Sequence, residues 1–192
     1  MATIKLIVGL GNPGREHEKD RHNVGFHFVS RLAAARRVPL KPVAKYHGVV
    51  GKLARPAGEM WLLLPQTYMN LSGKSVGTLA RFYKIHPAEV LVAHDELDFP
   101  PGVAKLKLGG GVAGHNGLKD VAVQLGSPGF WRLRIGIGHP GDKSLVADYV
   151  LNSPRAAERG LIEAALDRCM EVSGLLLEGE LEAAMLKLHT KS

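Results

Sequence analysis

The sequence predicts a single α/β domain over residues 1–192, a twisted, mixed β-sheet surrounded by α-helices. Three observations predict it. Short apolar runs at residues 4–9, 89–93 and 133–138 read as strands, and the EVLVA run of 89–93 is continuous enough for one buried on both faces. Segments with one apolar face at helical spacing stand between them. No linker, repeat or low-complexity stretch divides the chain.

In chain order, the first strand is expected over residues 4–9, followed by the turn Gly9-Leu10-Gly11-Asn12-Pro13-Gly14. Residues 15–23 are polar and charged, and the next helix carries Phe26, Val29, Leu32 and Ala33 on one face. Residues 48–54 and 59–64 flank Arg55-Pro56-Ala57-Gly58 and read as a hairpin. Leu79, Phe82 and Tyr83 mark a helix ending near Lys84. Strand 89–93 follows, then residues 103–108, whose apolar and basic residues alternate as in a half-exposed strand. Asn116 stands where a helix N-cap would stand before residues 117–123. After strand 133–138 the pattern from Pro154 onward is helical, broken around Gly174 and Gly179.

With 45% hydrophobic and 22% charged residues, the chain has the balance of a folded globular protein. Its apolar runs fall short of the ~18–20 residues of a membrane span. The run at residues 6–10 stops at a turn before the apolar core of a signal peptide could form. The one cysteine, Cys169, has no internal disulfide partner, so a reducing, cytoplasmic setting and a packing role are expected for it. Lys and Arg outnumber Asp and Glu by 25 to 18, and the net charge of +7 favours a polyanionic partner.

The GLGNPG turn matches the glycine fingerprint of a dinucleotide-binding unit, but only the preceding strand is in place. Pro13 removes a backbone donor where a pyrophosphate would sit, and VSRLAAA at residues 29–35 offers no carboxylate for a ribose. The other readings are that the turn presents Asn12 at the C-terminal edge of the sheet, or that Asn12 satisfies its own backbone in an Asx turn. His22, in Asp20-Arg21-His22-Asn23, becomes a candidate base once Asp95 is placed just after the strand 90–94. Both loops could reach one sheet edge, where the carboxylate would hold the imidazole in the tautomer that takes a proton from water. His94, Asp95, Glu96 and Asp98 could also be metal ligands, yet strand alternation disperses them, and neither a metal nor another cofactor is expected.

Two loops look chemical as well. Residues 66–73 hold an aromatic, a thioether and a carboxamide ahead of a helix, and the glycine-rich residues 109–117 resemble a lid. Lys105 and Lys107 share one strand face, Arg132 and Arg134 another, which is a plausible phosphate clamp or an ordinary solvated surface.

Taken in order, LIVGLGNPG at 6–14, Arg21-His22-Asn23, Tyr68-Met69-Asn70-Leu71-Ser72-Gly73, His94-Asp95-Glu96-Leu97-Asp98, PGVAKLK at 101–107, Gly114-His115-Asn116-Gly117-Leu118 and RLRIGIGHPG at 132–141 make the chain resemble the bacterial peptidyl-tRNA hydrolases. That resemblance implies a metal-free, typically monomeric enzyme that cleaves the ester between a peptide and the 3′-terminal ribose of tRNA. It implies His22 as general base and Asp95 as the group that orients it. Asn12 would distinguish a blocked amide from a free amino group. Asn70 and Asn116 would hold the peptide or terminal nucleotide, with His17, Tyr68, Met69 and His115 lining the groove. Lys107 and Arg134, with Lys105, would grip the tRNA 5′ phosphate. His17, where the family usually has tyrosine, and Val112-Ala113, where it is richer in glycine and histidine, are departures. A tRNA-binding module without catalysis and a metal-independent esterase of small molecules remain alternatives. The absence of a Gly-x-Ser-x-Gly elbow argues against a serine esterase.

Overall fold

The computed structural model describes residues 3–112 and 114–190. Strands β1 (Leu6–Gly9), β2 (Lys41–Val43), β3 (Gly48–Leu53), β4 (Met60–Pro65), β5 (Val90–Glu96), β6 (Ala104–Leu108) and β7 (Trp131–Gly136) form one sheet in the order β2-β3-β4-β1-β5-β7-β6. The four central strands β4, β1, β5 and β7 are parallel; β3 and β6 run antiparallel to them on either side, and β2 pairs antiparallel with β3 at the edge. The helices are α1 (Val24–Ala35), α2 (Ser72–Phe82), α3 (Asn116–Leu125), α4 (Val146–Val150), α5 (Ala156–Glu171), α6 (Ser173–Leu177) and α7 (Leu181–His189). The mixed sheet between helical layers is the architecture expected from the sequence.

Strand alternation sorts the core into two layers. Ile7, Leu91, Ala93, Leu133 and Ile135 pack with α1, α5 and α7 on one face, while Leu6, Val8, Val90 and Val92 pack with α2 and α3 on the other. Toward β6 and β7 the two faces diverge. Ala104, Leu106, Leu133 and Ile135 are buried on the α5–α7 side, whereas the opposite side carries Lys105, Lys107, Arg132 and Arg134. The ladder sets Lys105 across from Arg134 and Lys107 across from Arg132, so all four cations share one face. The outer edge of β6 is covered rather than left open, since the Leu106 N–H donates to His189 Nε2 of α7 at 3.0 Å. Cys169 is buried in the larger core, and burial pushes its thiol up to about 12, consistent with packing rather than nucleophilic chemistry.

Several boundaries differ from the sequence expectation. The third central strand covers Trp131–Gly136, two residues earlier than expected, because it pairs with β5 from Leu91 to Glu96. That pairing also carries β5 through Asp95, which belongs to the strand instead of following it. The N-cap of α3 is His115, not Asn116: the His115 Nδ1 accepts from the Leu118 N–H at 3.2 Å. Strand β2 and the short α4 were not expected from the pattern.

Candidate active site

The C-terminal ends of parallel strands collect the loops of an open α/β sheet, and here those of β1 and β5 lie side by side. After β1 the chain turns through residues 10–14, makes short 3₁₀ turns at Arg15–His17 and Arg21–Asn23, and enters α1. Gly25 sits in the first turn of α1 so close to the sheet that a Cβ would meet the Ala93 carbonyl oxygen at 2.3 Å. Only glycine permits that approach, and it seats His22 above the end of β5.

His22 Nδ1 lies 2.8 Å from Asp95 Oδ2, and the second carboxylate oxygen, Oδ1, lies 2.8 Å from His115 Nε2. One nearly inaccessible carboxylate, 2% exposed, thus receives two imidazole N–H groups. With Nδ1 of His115 accepting the Leu118 N–H, its proton is on Nε2 and faces Asp95. His22 donates through Nδ1, which leaves a lone pair on Nε2. Burial opposes charging of His22, but the Asp95 carboxylate, its hydrogen bond and Asp20 outweigh it and raise the pKa above the ordinary 6.5. Burial likewise opposes ionisation of Asp95, and the flanking His22 and His115 pull its pKa below the usual carboxylate range.

A cavity of about 710 Å³ opens beside this cluster. Its walls include His22, Asp95, Lys107, His115, Asn116 and Arg134 among the expected site residues. Its far side is formed by Val146, Ala147 and Val150 of α4. Asn12, His17, Tyr68, Met69, Asn70 and Lys105 stand outside the cavity wall, yet several are tied to the cluster. The Asn12 Oδ1 accepts from the Met69 N–H at 2.7 Å, which leaves its amine as the uncommitted edge. Gly117 lets Met69 and His115 both pack against the start of α3, since a Cβ there would lie 2.5 Å from Met69 Sδ and 3.1 Å from His115 Cε1. His17 Nδ1 donates to Asp20 at 2.7 Å, so this residue bears on His22 through the carboxylate that also raises its pKa. Tyr68 is 70% exposed, and Asn70 and Asn116 are exposed amides.

A family model described as peptidyl-tRNA hydrolase matches residues 6–192. The chain belongs to the peptidyl-tRNA hydrolase family. It is 55% identical over 188 residues to the peptidyl-tRNA hydrolase of Nitrosospira multiformis, covering 98% of each chain. It is also 55% identical over 192 residues to that of Methylobacillus flagellatus, covering 100% of each. The crystal structure of peptidyl-tRNA hydrolase from Acinetobacter baumannii superposes with a TM-score of 0.96 at 46% identity, over 100% of this chain and 97% of that one.

Within this peptidyl-tRNA hydrolase fold, Arg132, Asn23 and Arg21 shape the site through distant partners that the sequence pattern does not show. Arg132 is buried, and its guanidinium donates to the carbonyls of Gly110 and Gly111 in the lid and of Pro128, the Gly110 and Pro128 bonds at 3.0 and 2.9 Å. It fastens the lid instead of facing solvent beside Arg134. Arg134 itself donates from Nε to Glu96 at 2.8 Å and lies 4.4 Å from the Phe99 ring centroid. Asn23 clamps the peptide group of residue 12, accepting from Asn12 N at 2.8 Å and donating to Asn12 O at 2.9 Å. Arg21 donates to the Tyr149 carbonyl at 2.9 Å and to Glu158 at 3.0 Å, joining the His22 turn to α4 and α5. The motif Arg21-His22-Asn23 was visible, but not the distant partners that give its flanks their work.

The cluster His94, Asp95, Glu96 and Asp98 is dispersed by the strand. The set among the described residues that could hold a cation is another one, His22, Asp95 and His115, whose ligand atoms lie within 4.8 Å of one another. The nitrogens that face Asp95 already carry protons in 2.8 Å hydrogen bonds, which a cation would have to displace. Val112 packs partly buried against the α2/α3 core, and Ala113 lies outside the described residues.

Proposed function

We propose that this site hydrolyses the ester between a peptide, or an N-blocked amino acid, and the 3′-terminal ribose of tRNA, releasing tRNA for reuse. The observation that carries the reading is the His22–Asp95 pair at 2.8 Å on the wall of a cavity that also reaches Lys107 and Arg134. Water gives a proton to His22 Nε2 as its oxygen attacks the ester carbonyl carbon. The imidazolium is stabilised by Asp95 and returns the proton to the departing ribose oxygen as the carbon–oxygen bond breaks. An ester of this kind is activated enough for one base and positioned hydrogen bonds, worth ~10²–10⁴-fold for the proton transfer with orientation adding more.

Asn12 recognises the substrate by what it has left to offer. With its oxygen committed to Met69, the amine presents only donors, which suits a peptide carbonyl and opposes the donor-only ammonium of a free aminoacyl ester. Asn70 and Asn116, as exposed amides, would hold the peptide or terminal nucleotide, with Tyr68, Met69 and His115 beside them. Lys107 and Arg134, on one sheet face with Lys105, would take the 5′ phosphate of the acceptor stem. We read the enzyme as a cytoplasmic monomer acting where peptidyl-tRNA is made. Among the described residues, no helix is long and apolar enough to cross a membrane.

The test compares three substrates: an N-acetylated aminoacyl-tRNA, the same tRNA with a free amino group, and the N-acetylated amino acid as a simple ester. Fast cleavage of the first alone supports the reading. Binding without cleavage of any would leave an RNA-binding module, and equal cleavage of the simple ester would leave a general esterase.

A further inference from the structure

His94 and Asp95 are consecutive on β5 and therefore face opposite sides of the sheet. Asp95 meets the two imidazoles already described. His94 lies on the α2/α3 side, two residues after Val92 and across the ladder from Arg134. It is 1% exposed. Its Nδ1 is 2.8 Å from the backbone oxygen of Asp95, and because a carbonyl only accepts, the ring proton is on Nδ1 and Nε2 is a lone pair. That nitrogen is buried and has no hydrogen-bond partner among the described residues. Buried acceptors rarely go unsatisfied. His94 is among the residues that line the same cavity as His22, Lys107 and Arg134.

We propose that His94 Nε2 accepts a hydrogen bond from the 3′-terminal adenosine of the bound tRNA, given by the ribose 2′-hydroxyl or the adenine N6 amine. The inference rests on the hydrolase reading above and extends it to the nucleotide side of the ester. An ester held at His22 and a phosphate held at Lys107 and Arg134 require the intervening nucleotides to start beside β5, on the face where His94 stands. Burial, with His115 beside it, pushes the His94 pKa down to about 3, so the ring is a neutral acceptor whenever the enzyme works. A neutral lone pair accepts an N–H or O–H donor, and the terminal nucleoside offers two.

The test is a coupling experiment. His94→Phe removes the lone pair and keeps a ring for the edge-to-face contact with His115, whose centroid is 5.2 Å away at 73°. kcat/KM is measured for wild type and variant on N-acetyl-aminoacyl-tRNA ending in adenosine, in 2′-deoxyadenosine, and in purine riboside, which lacks the N6 amine. The wild type should lose about three- to tenfold on one altered terminus, and His94→Phe should lose as much on the natural one with no further loss on that terminus. The terminus that couples identifies the donor. Independent losses on both termini, or a wild type indifferent to both, overturn the proposal while leaving the hydrolase reading intact. No turnover of any of the three overturns that reading and this inference with it. A second readout needs no variant: in ¹⁵N-histidine-labelled wild type, deacylated tRNA should shift the His94 Nε2 resonance, and an unmoved resonance at saturation overturns the proposal.

Discussion

Replacing Asp95 with Asn keeps the shape of the side chain and exchanges one acceptor oxygen for a donor. Its two neighbours are not equally free to respond. His115 Nδ1 is occupied by the Leu118 N–H at 3.2 Å, so His115 goes on presenting an Nε2–H to residue 95. The carboxamide oxygen satisfies that donor, and the amine turns toward His22 Nδ1. Two donors cannot face one another, so His22 moves its proton to Nε2 and gives up the lone pair that takes the proton of water. A wrong tautomer behind an Asp→Asn exchange costs about 10⁴-fold in kcat in the serine protease triad. The lost charge removes a charge-assisted bond of roughly 1.5–3 kcal/mol from the imidazolium as well. Asp95→Asn should therefore lower kcat/KM on N-acetyl-aminoacyl-tRNA by ~10³–10⁴-fold with tRNA affinity little changed. The tautomer is read directly by ¹⁵N NMR of His22. Adding His115→Ala lets the carboxamide oxygen turn back to His22, and the double variant should regain about tenfold over Asp95→Asn alone. The reasoning is refuted by an Asp95→Asn enzyme within tenfold of wild type, or by an inactive one in which His22 still carries its proton on Nδ1.

The remaining predictions address charge and recognition. Because the folded pKa of His22 is raised above 6.5, its base form is lost as pH falls through that higher value. The acid limb of kcat/KM should have its midpoint above 6.5 and should move down in Asp95→Asn; a wild-type midpoint at or below 6.5 contradicts the pairing. Asn12→Asp keeps an oxygen for the Met69 N–H and replaces the amine by a second oxygen, so the preference for N-acetylated over free aminoacyl-tRNA should shrink. If both rates fall equally and their ratio stands, Asn12 is a structural residue. Lys107→Ala with Arg134→Ala should raise KM for peptidyl-tRNA and flatten its salt dependence, while a peptide on a terminal nucleotide fragment is cleaved as before. Arg134→Ala and removal of the tRNA 5′ phosphate should be strongly coupled in a double cycle, and purely additive losses would leave only a diffuse basic field.

The parts of the site legible in sequence were those made by short-range rules. Alternation placed Lys105 and Lys107 on one face and separated His94 from Asp95, and an apolar run announced β5. What could not be read was which distant groups would meet. Asn116 has the look of an N-cap, but capping belongs to His115, whose other nitrogen is drawn to a carboxylate twenty residues away in the chain. Arg132 and Arg134 are equivalent in the pattern, yet one is buried under the lid carbonyls and the other lies against Glu96 and Phe99, because only the folded loop supplies acceptors above Arg132. Asn23 likewise earns its position from the backbone of residue 12 across a turn, a contact with no periodic signature. The end of β5 ran past expectation for a related reason, since its last two residues are held by partners on β7 rather than by their own propensity.

The central claim is that His22, held by Asp95, takes the proton from water. The most direct test is single-turnover release of tRNA from N-acetyl-aminoacyl-tRNA by His22→Ala, with affinity for deacylated tRNA measured on the same preparation. The account predicts a loss of at least ~10²-fold in the cleavage rate constant, with affinity within a few-fold of wild type. Cleavage at a near wild-type rate with unchanged affinity would contradict it.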